Sequence, residues 1–355
     1  MVDSSPPPRA RHPEREIDSE RAGEGGANGD DANARAGIAS TIGDARFVIV
    51  TGKGGVGKTT VCAALARKLS SEGKRVLVCL CNTKERLSTM MGSEPVEAQI
   101  AKIAPNLWAV NMDPEQALSE YGSLVLRSKG LSALLFDNKV VRAFFRAVPG
   151  MQEWAMLGKA WWHTTEQDAT GASRFDVVIL DAPATGHGLD MLRVPKVIVD
   201  VVPPGVLRRD AERAWTMFHD PAACAVVLVT LPEEMPTTET LELAQALREQ
   251  LHFAIRTVVV NSALPPLFSP REREALLAVD GLCNMQESAN AANASVSAPS
   301  RNIVAAARQR AQREQMQSAS VARLANGLGI TPVVLPLLFD NAAQPHAIEQ
   351  LARCI

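Results

Sequence analysis

The sequence has no uninterrupted apolar run of the roughly 18 residues that a bilayer-crossing helix requires. Its best stretch, residues 194–207, is broken by Lys196, Asp200 and the turn Pro203-Pro204-Gly205. No apolar core follows the first residues, which begin Ser4-Ser5-Pro6-Pro7-Pro8-Arg9, so a secretory leader is not expected. Charge of one sign is also missing. With 37 Lys and Arg against 39 Asp and Glu, the net charge of −2 gives no electrostatic reason to expect nucleic acid or an anionic membrane as partner. Paired cysteine spacing is absent as well: Cys62, Cys79, Cys81, Cys224, Cys283 and Cys354 are scattered, with only Cys79 and Cys81 close together. They read as small buried residues of a reducing compartment. These absences predict a cytoplasmic protein with no nucleic acid partner and no direct membrane insertion.

What is present is a globular composition, 46% hydrophobic and 21% charged over 355 residues, enough for one large or two ordinary domains. Residues 1–42 are rich in Pro, Arg, Glu, Asp, Gly and Ala. They offer too little apolar surface to offset their ordering entropy and are expected to be a disordered tail. Residues 43–355 read as one domain. Short β-branched runs alternate there with helical patterns, the mark of a parallel sheet covered on both faces. Strands are expected at 47–51, 75–81, 107–111, 175–181, 223–231, 255–261 and 331–336. Residues 113–172 show helical spacing and read as an inserted helical subdomain. Residues 284–300 are low in complexity and are expected to be a flexible loop.

The densest signal is Gly52-Lys53-Gly54-Gly55-Val56-Gly57-Lys58-Thr59-Thr60, a G-x-x-x-x-G-K-[ST] phosphate loop between an apolar run and a helical stretch. Its glycines, with Val56, let backbone N–H groups close around phosphate oxygens, and the following helix start adds partial positive charge. Lys58 is expected to reach the β- and γ-phosphates, and the Thr59 hydroxyl to ligate Mg²⁺. The fold expected is an α/β P-loop NTPase, with a mostly parallel sheet flanked by helices and the helical insertion. ATP and Mg²⁺ are its expected ligands. The run 175–181 ends in Asp181 at the C-terminal edge of a buried strand, where ligands of open α/β sheets bind. Asp181 is therefore expected to hold Mg²⁺, through a water. Gly186 then allows a backbone N–H close to the γ-phosphate.

The arrangement K-G-G-V-G-K-T-T resembles the deviant Walker A loop of dimeric P-loop ATPases. That resemblance implies that Lys53 crosses a subunit interface to the partner's nucleotide; a solvated surface lysine is the other reading. The stretch Asp181-Ala182-Pro183-Ala184-Thr185-Gly186-His187-Gly188-Leu189, continued by Leu192-Arg193-Val194-Pro195, resembles switch II of the arsenical-pump and tail-anchored-protein-targeting ATPases. So do Val229-Thr230-Leu231-Pro232-Glu233-Glu234-Met235 with Glu239, Val258-Val259-Val260-Asn261 through Leu264-Pro265-Pro266, and Val334-Leu335-Pro336-Leu337-Leu338. The resemblance implies that Asn261 hydrogen-bonds adenine and that the loop of Pro336 and Leu337 closes the base pocket. A strand-ending turn residue is the alternative for Asn261.

Departures from the family pattern also carry information. Asn82 stands where the family's switch I has a water-orienting aspartate. An amide positions a water but accepts no proton, so the expected ATPase is slow. Glu85 either replaces that carboxylate or starts a helix. Cys283 has no second cysteine for a zinc clamp, and no cysteine lies between Cys81 and Cys224 to bind a metalloid. Met151, Trp154, Met156, Leu157, Trp161 and Trp162 either form a groove for apolar helices or pack in the core. The function expected is an ATP-hydrolysing homodimeric switch coupled to an apolar helical client or a membrane-protein partner. A chaperone-like ATP binder with negligible hydrolysis and a partition or positioning ATPase are the alternatives.

Overall fold

Eight strands form one sheet: β1 (Phe47–Gly52), β2 (Val76–Cys81), β3 (Ala101–Ala104), β4 (Leu107–Met112), β5 (Val177–Asp181), β6 (Cys224–Thr230), β7 (Ile255–Ala263) and β8 (Val333–Pro336). The protein is represented by a computed structural model that describes residues 38–81, 84–126, 150–278, 298–339 and 344–355. The strand order is β3-β4-β2-β5-β1-β6-β7-β8, parallel throughout except for the β3–β4 pair. Every residue of β1, β2, β5 and β6 is buried, which is why these strands read as continuous apolar runs rather than alternating ones.

The pleat sends alternate side chains to opposite faces and so divides the core in two. Phe47, Ile49, Leu77 and Cys79 join one cluster, whereas Val48, Val50, Val76 and Val78 join the other. The first cluster is covered by α5 (Met151–Thr165), α6 (Thr185–Val201), α7 (Val206–His219) and α8 (Glu234–Glu249). The second is covered by α1 (Ile38–Ile42), α2 (Lys58–Ser71), α3 (Leu87–Met91) and α11 (Pro345–Ala352). The remaining helices are α4 (Pro114–Leu126), which packs on α5, and α9 (Pro270–Ala278), which packs on α10 (Ala298–Leu328).

Two boundaries differ from the sequence expectation. Ile38 and Ile42 are buried against the sheet, and the Ala39 N–H donates to the Ile355 carbonyl at 3.4 Å. The ordered domain therefore includes residues 38–42, which the composition assigned to the tail. Residues 298–300, expected in the flexible loop, are the first turn of α10. Strand β3 was not anticipated: four residues, Ala-Lys-Ile-Ala, at a sheet edge carry little pattern. Residues 127–149 and 284–297, with Cys283, lie outside the described residues.

Because β5, β1, β6 and β7 are consecutive and parallel, their C-terminal ends share one edge. Val50 pairs with Asp181 and Gly52 with Val229. At that edge Gly52 has φ 152°, and a Cβ there would lie 2.2 Å from the Val229 carbonyl oxygen. Backbone cannot yield to that contact cheaply. Gly52→Ala is therefore expected to destabilise the fold by about 2–4 kcal/mol, read as a lowered denaturant midpoint. An unchanged midpoint would refute this account of the loop's entry.

Candidate nucleotide-binding site

The glycine loop leaves β1, crosses the sheet edge and enters α2 through Gly57, which is left-handed at φ 89° and ψ 31°. A Cβ on Gly57 would stand 2.2 Å from Asn261 Nδ2. Asn261, at the end of the buried run of β7, donates from Nδ2 to the Val56 carbonyl at 2.9 Å. One amide proton of Asn261 thus props the loop from below. Among the described residues no side chain caps the start of α2, which leaves its first N–H groups available to an anion.

Lys58 folds back over the loop and donates to the carbonyls of Gly52 (3.1 Å) and Lys53 (2.9 Å). Burial lowers its pKa, and the nearby Asp181 partly opposes that effect. The Thr59 hydroxyl donates to Asp181 Oδ2 at 2.6 Å. Asp181 is 3% exposed; burial raises its carboxyl above the ordinary value, against the pull of Thr59, Lys58 and Cys62. Cys62 lies one turn after Thr59 on the same face of α2, and burial keeps its thiol neutral. Cys79 and Cys81 are likewise buried in the core, and burial pushes Cys79 up to about 12.

These residues fit magnesium and a polyphosphate. A hydroxyl and a carboxylate meet as hard oxygen donors beside an ammonium whose hydrogen-bond partners are carbonyl dipoles. The Thr51 hydroxyl is buried at the same edge with no hydrogen-bond partner among the described residues. Among those residues no group of three or more His, Cys, Asp or Glu gathers to form a metal site from protein ligands alone.

The structure brings most of the expected site residues together. Gly54 faces Ala184, which would lie 3.7 Å from a Cβ on that glycine, so the loop borders the start of α6. Gly186 falls in the first turn of α6. Gly188 is the tighter position, because a Cβ there would meet the Pro183 carbonyl oxygen at 2.7 Å and Thr51 Oγ1 at 3.3 Å. Gly55, at φ 85°, has open space around it, and Thr60 continues α2. Pro336 and Leu337 reach the end of β7 next to Asn261: the Leu337 N–H donates to the Ala263 carbonyl at 2.7 Å, beside Ser262 at φ 56°.

Other expectations are modified. Asn82 lies outside the described residues. Glu85 is committed to α3, its carboxylate accepting from the Ser88 N–H at 2.7 Å and from the Ser88 hydroxyl, which is the helix-starting reading. Trp154, Met156, Leu157 and Trp161 are buried in the core, so they form no groove; Trp162 alone of the aromatic pair turns outward, at 37% exposure. Lys53 is not simply solvated, because its ammonium pairs with Glu239 on α8. The sequence reading gave Glu239 no role, since nothing in its spacing places α8 beside the loop.

A carboxyl whose pKa rises on folding binds more protons folded than unfolded, so its contribution to stability falls as pH rises from 3.8 through the folded value. Asp181→Asn removes that cost and keeps an acceptor for Thr59. It is expected to raise stability of the ligand-free protein at pH 7 by roughly 0.5–2 kcal/mol while weakening Mg²⁺ binding. Melting curves at pH 7 and pH 5 test this: the gap between variant and wild type should narrow at the lower pH. A variant less stable at both would contradict it.

Residues 45–203 match the sequence profile described as Anion-transporting ATPase. The chain is 29% identical over 238 residues to the ATPase BagA of Mycobacterium tuberculosis, covering 66% of this chain and 69% of that protein. It is 28% identical over 255 residues to an arsenical pump-driving ATPase of Escherichia coli, covering 65% of this chain and 43% of the relative. To the ATPase ARSA1 of Chlamydomonas reinhardtii it is 25% identical over 276 residues, 62% of this chain and 35% of that protein. A P-loop α/β fold and a Thr59–Asp181 pair at its sheet edge accompany these likenesses, which support a relation of the chain to the anion-transporting ATPase-like family.

Proposed function

We propose that this protein binds ATP with Mg²⁺ at the loop of residues 52–60 and hydrolyses the β–γ bond slowly, as a homodimeric switch that acts on a helical client or a membrane-protein partner. The observation that carries the reading is the buried Thr59–Asp181 contact beside Lys58. The family supports it, since the relatives above are named as ATPases.

In this reading Lys58 exchanges its carbonyl partners for phosphate oxygens, the loop N–H groups hold the phosphates, and Thr59 with Asp181 holds the cation, the latter through water. Bound Mg²⁺ would neutralise charge that develops on the β- and γ-oxygens. Gly186 senses the γ-phosphate. Asn261, through the amide atoms not given to Val56, and the Pro336–Leu337 loop receive adenine. Slow turnover is proposed because Asn82 replaces an acid and the nearby carboxylate of Glu85 is engaged by Ser88.

The switch signal has a packed route. Met191, Leu192, Val194 and Ile198 of α6 share one core cluster with Trp154, Leu157 and Trp161 of α5. A shift of the γ-phosphate-facing end of α6 is therefore felt in α5. Among the described residues no helix is long and apolar enough to cross a membrane. The C-terminal α11 buries Ala347, Ile348 and Leu351, so the amphipathic tail that a membrane-positioning ATPase would use has no support there. A cytoplasmic protein that meets membranes through partners fits these features.

Phosphate release with Mg²⁺ and ATP, measured alongside light scattering with a non-hydrolysable analogue, tests the reading. Wild type is expected to turn over slowly and to dimerise with the analogue, whereas Lys58→Ala should lose at least about 100-fold in turnover. Dimer closure without phosphate release would favour the ATP-binding chaperone, for which Asn82 is the supporting feature. Absence of nucleotide binding by calorimetry would end both readings.

A further inference from the structure

Lys53 occupies two roles at the sheet edge. Its carbonyl accepts from Lys58 at 2.9 Å, and its ammonium pairs with Glu239 Oε1 on α8. The pair joins elements 186 residues apart. It is half-open to solvent, with side-chain exposures of 41% for Lys53 and 26% for Glu239. Glu239 is not an ordinary surface acid, however: its Oε2 is buried and accepts no hydrogen bond among the described residues. Met235, one turn earlier on the same helix, is largely exposed and marks that face of α8 as open.

A carboxylate with one enclosed, unsatisfied oxygen depends on the cation that meets the other. We propose that Glu239 is a positioning residue for Lys53: it holds the ammonium within its own protomer until nucleotide draws that lysine toward a second copy of the chain. The inference rests on the reading of Lys53 as the lysine offered in trans. Glu239 then competes with the partner's phosphates for one charge. Its removal should lower the ATP concentration at which copies associate, without altering the groups around Asp181. Through this contact Lys53 ties the strand-to-helix turn to α8 and, through its carbonyl, to Lys58.

Glu239→Gln keeps the shape and removes the charge, and Glu239→Asp shortens the reach. Two measurements separate this inference from the ATPase reading. Amine-selective acylation of the nucleotide-free protein, mapped to Lys53 by mass spectrometry, needs neither ATP nor a dimer. Lys53 is expected to label roughly five-fold faster in Glu239→Gln, with Glu239→Asp between it and wild type. Half-maximal association with an ATP analogue is expected at a roughly five-fold lower concentration in Glu239→Gln. In a Lys53→Met background Glu239→Gln should no longer shift it. Equal labelling of Lys53 in all three proteins overturns the proposal even where ATP hydrolysis holds. Faster labelling with no association at any nucleotide concentration keeps the contact and removes its competition with a second copy.

Discussion

The contact between Thr59 and Asp181 is the constraint on which the site depends, and it comes from sheet order rather than from either residue alone. The two are 122 positions apart, yet β1 and β5 are adjacent, parallel and in register, with Val50 opposite Asp181. The loop must turn back over the sheet edge within six residues to put Thr59 above that carboxylate. It does so only because Gly52 carries no side chain against Val229 and Gly57 none against Asn261. Backbone space, not side-chain chemistry, is the scarce quantity at this edge.

The two charges at the edge are not paired directly with one another. Asp181 is buried and has a hydroxyl and a thiol as its nearest donors, while Lys58 donates to carbonyl dipoles. Burial disfavours the charged form of each, raising one pKa and lowering the other, although their mutual attraction opposes both shifts. A protein optimised only for stability would bring the two into direct contact or replace them with apolar groups. Here the separation is kept by the same loop geometry that leaves the start of α2 uncapped.

The central strands were legible in the sequence because they are covered on both faces and must therefore be apolar at every position. Phe47 to Val50 and Val177 to Leu180 leave little room for another reading. The edge strand β3 could not be read, since three of its four positions face water or lie at the margin. The composition of the first 42 residues hid α1, whose buried residues are two isoleucines, Ile38 and Ile42. Helical spacing identified the Met and Trp stripe after Gly150, but period reports only that a face is apolar. Whether that face meets a client or α6 is decided by the packing of a second element. Asn261 illustrates the same limit: its donation to Val56 spans 205 residues, and only the assembled sheet makes them neighbours.

That packing bears on how a nucleotide signal could travel. Gly150 opens α5 at φ 82°, and a Cβ there would stand 3.0 Å from a methyl of Val194 on α6. Only a residue without a side chain therefore lets the end of α5 pack this closely on α6. Pro195, inside α6, removes a hydrogen bond one residue after that contact and weakens the helix there, so its two ends need not move as one rod. The end near the loop carries Gly186 and Gly188, whereas Ile198 beyond the proline sits in the shared core with Trp154. Packed interiors resist continuous deformation and change by discrete shifts of whole elements. In the proposed reading, a weak point at Pro195 and close packing at Gly150 would let a small displacement at Gly186 reposition α5.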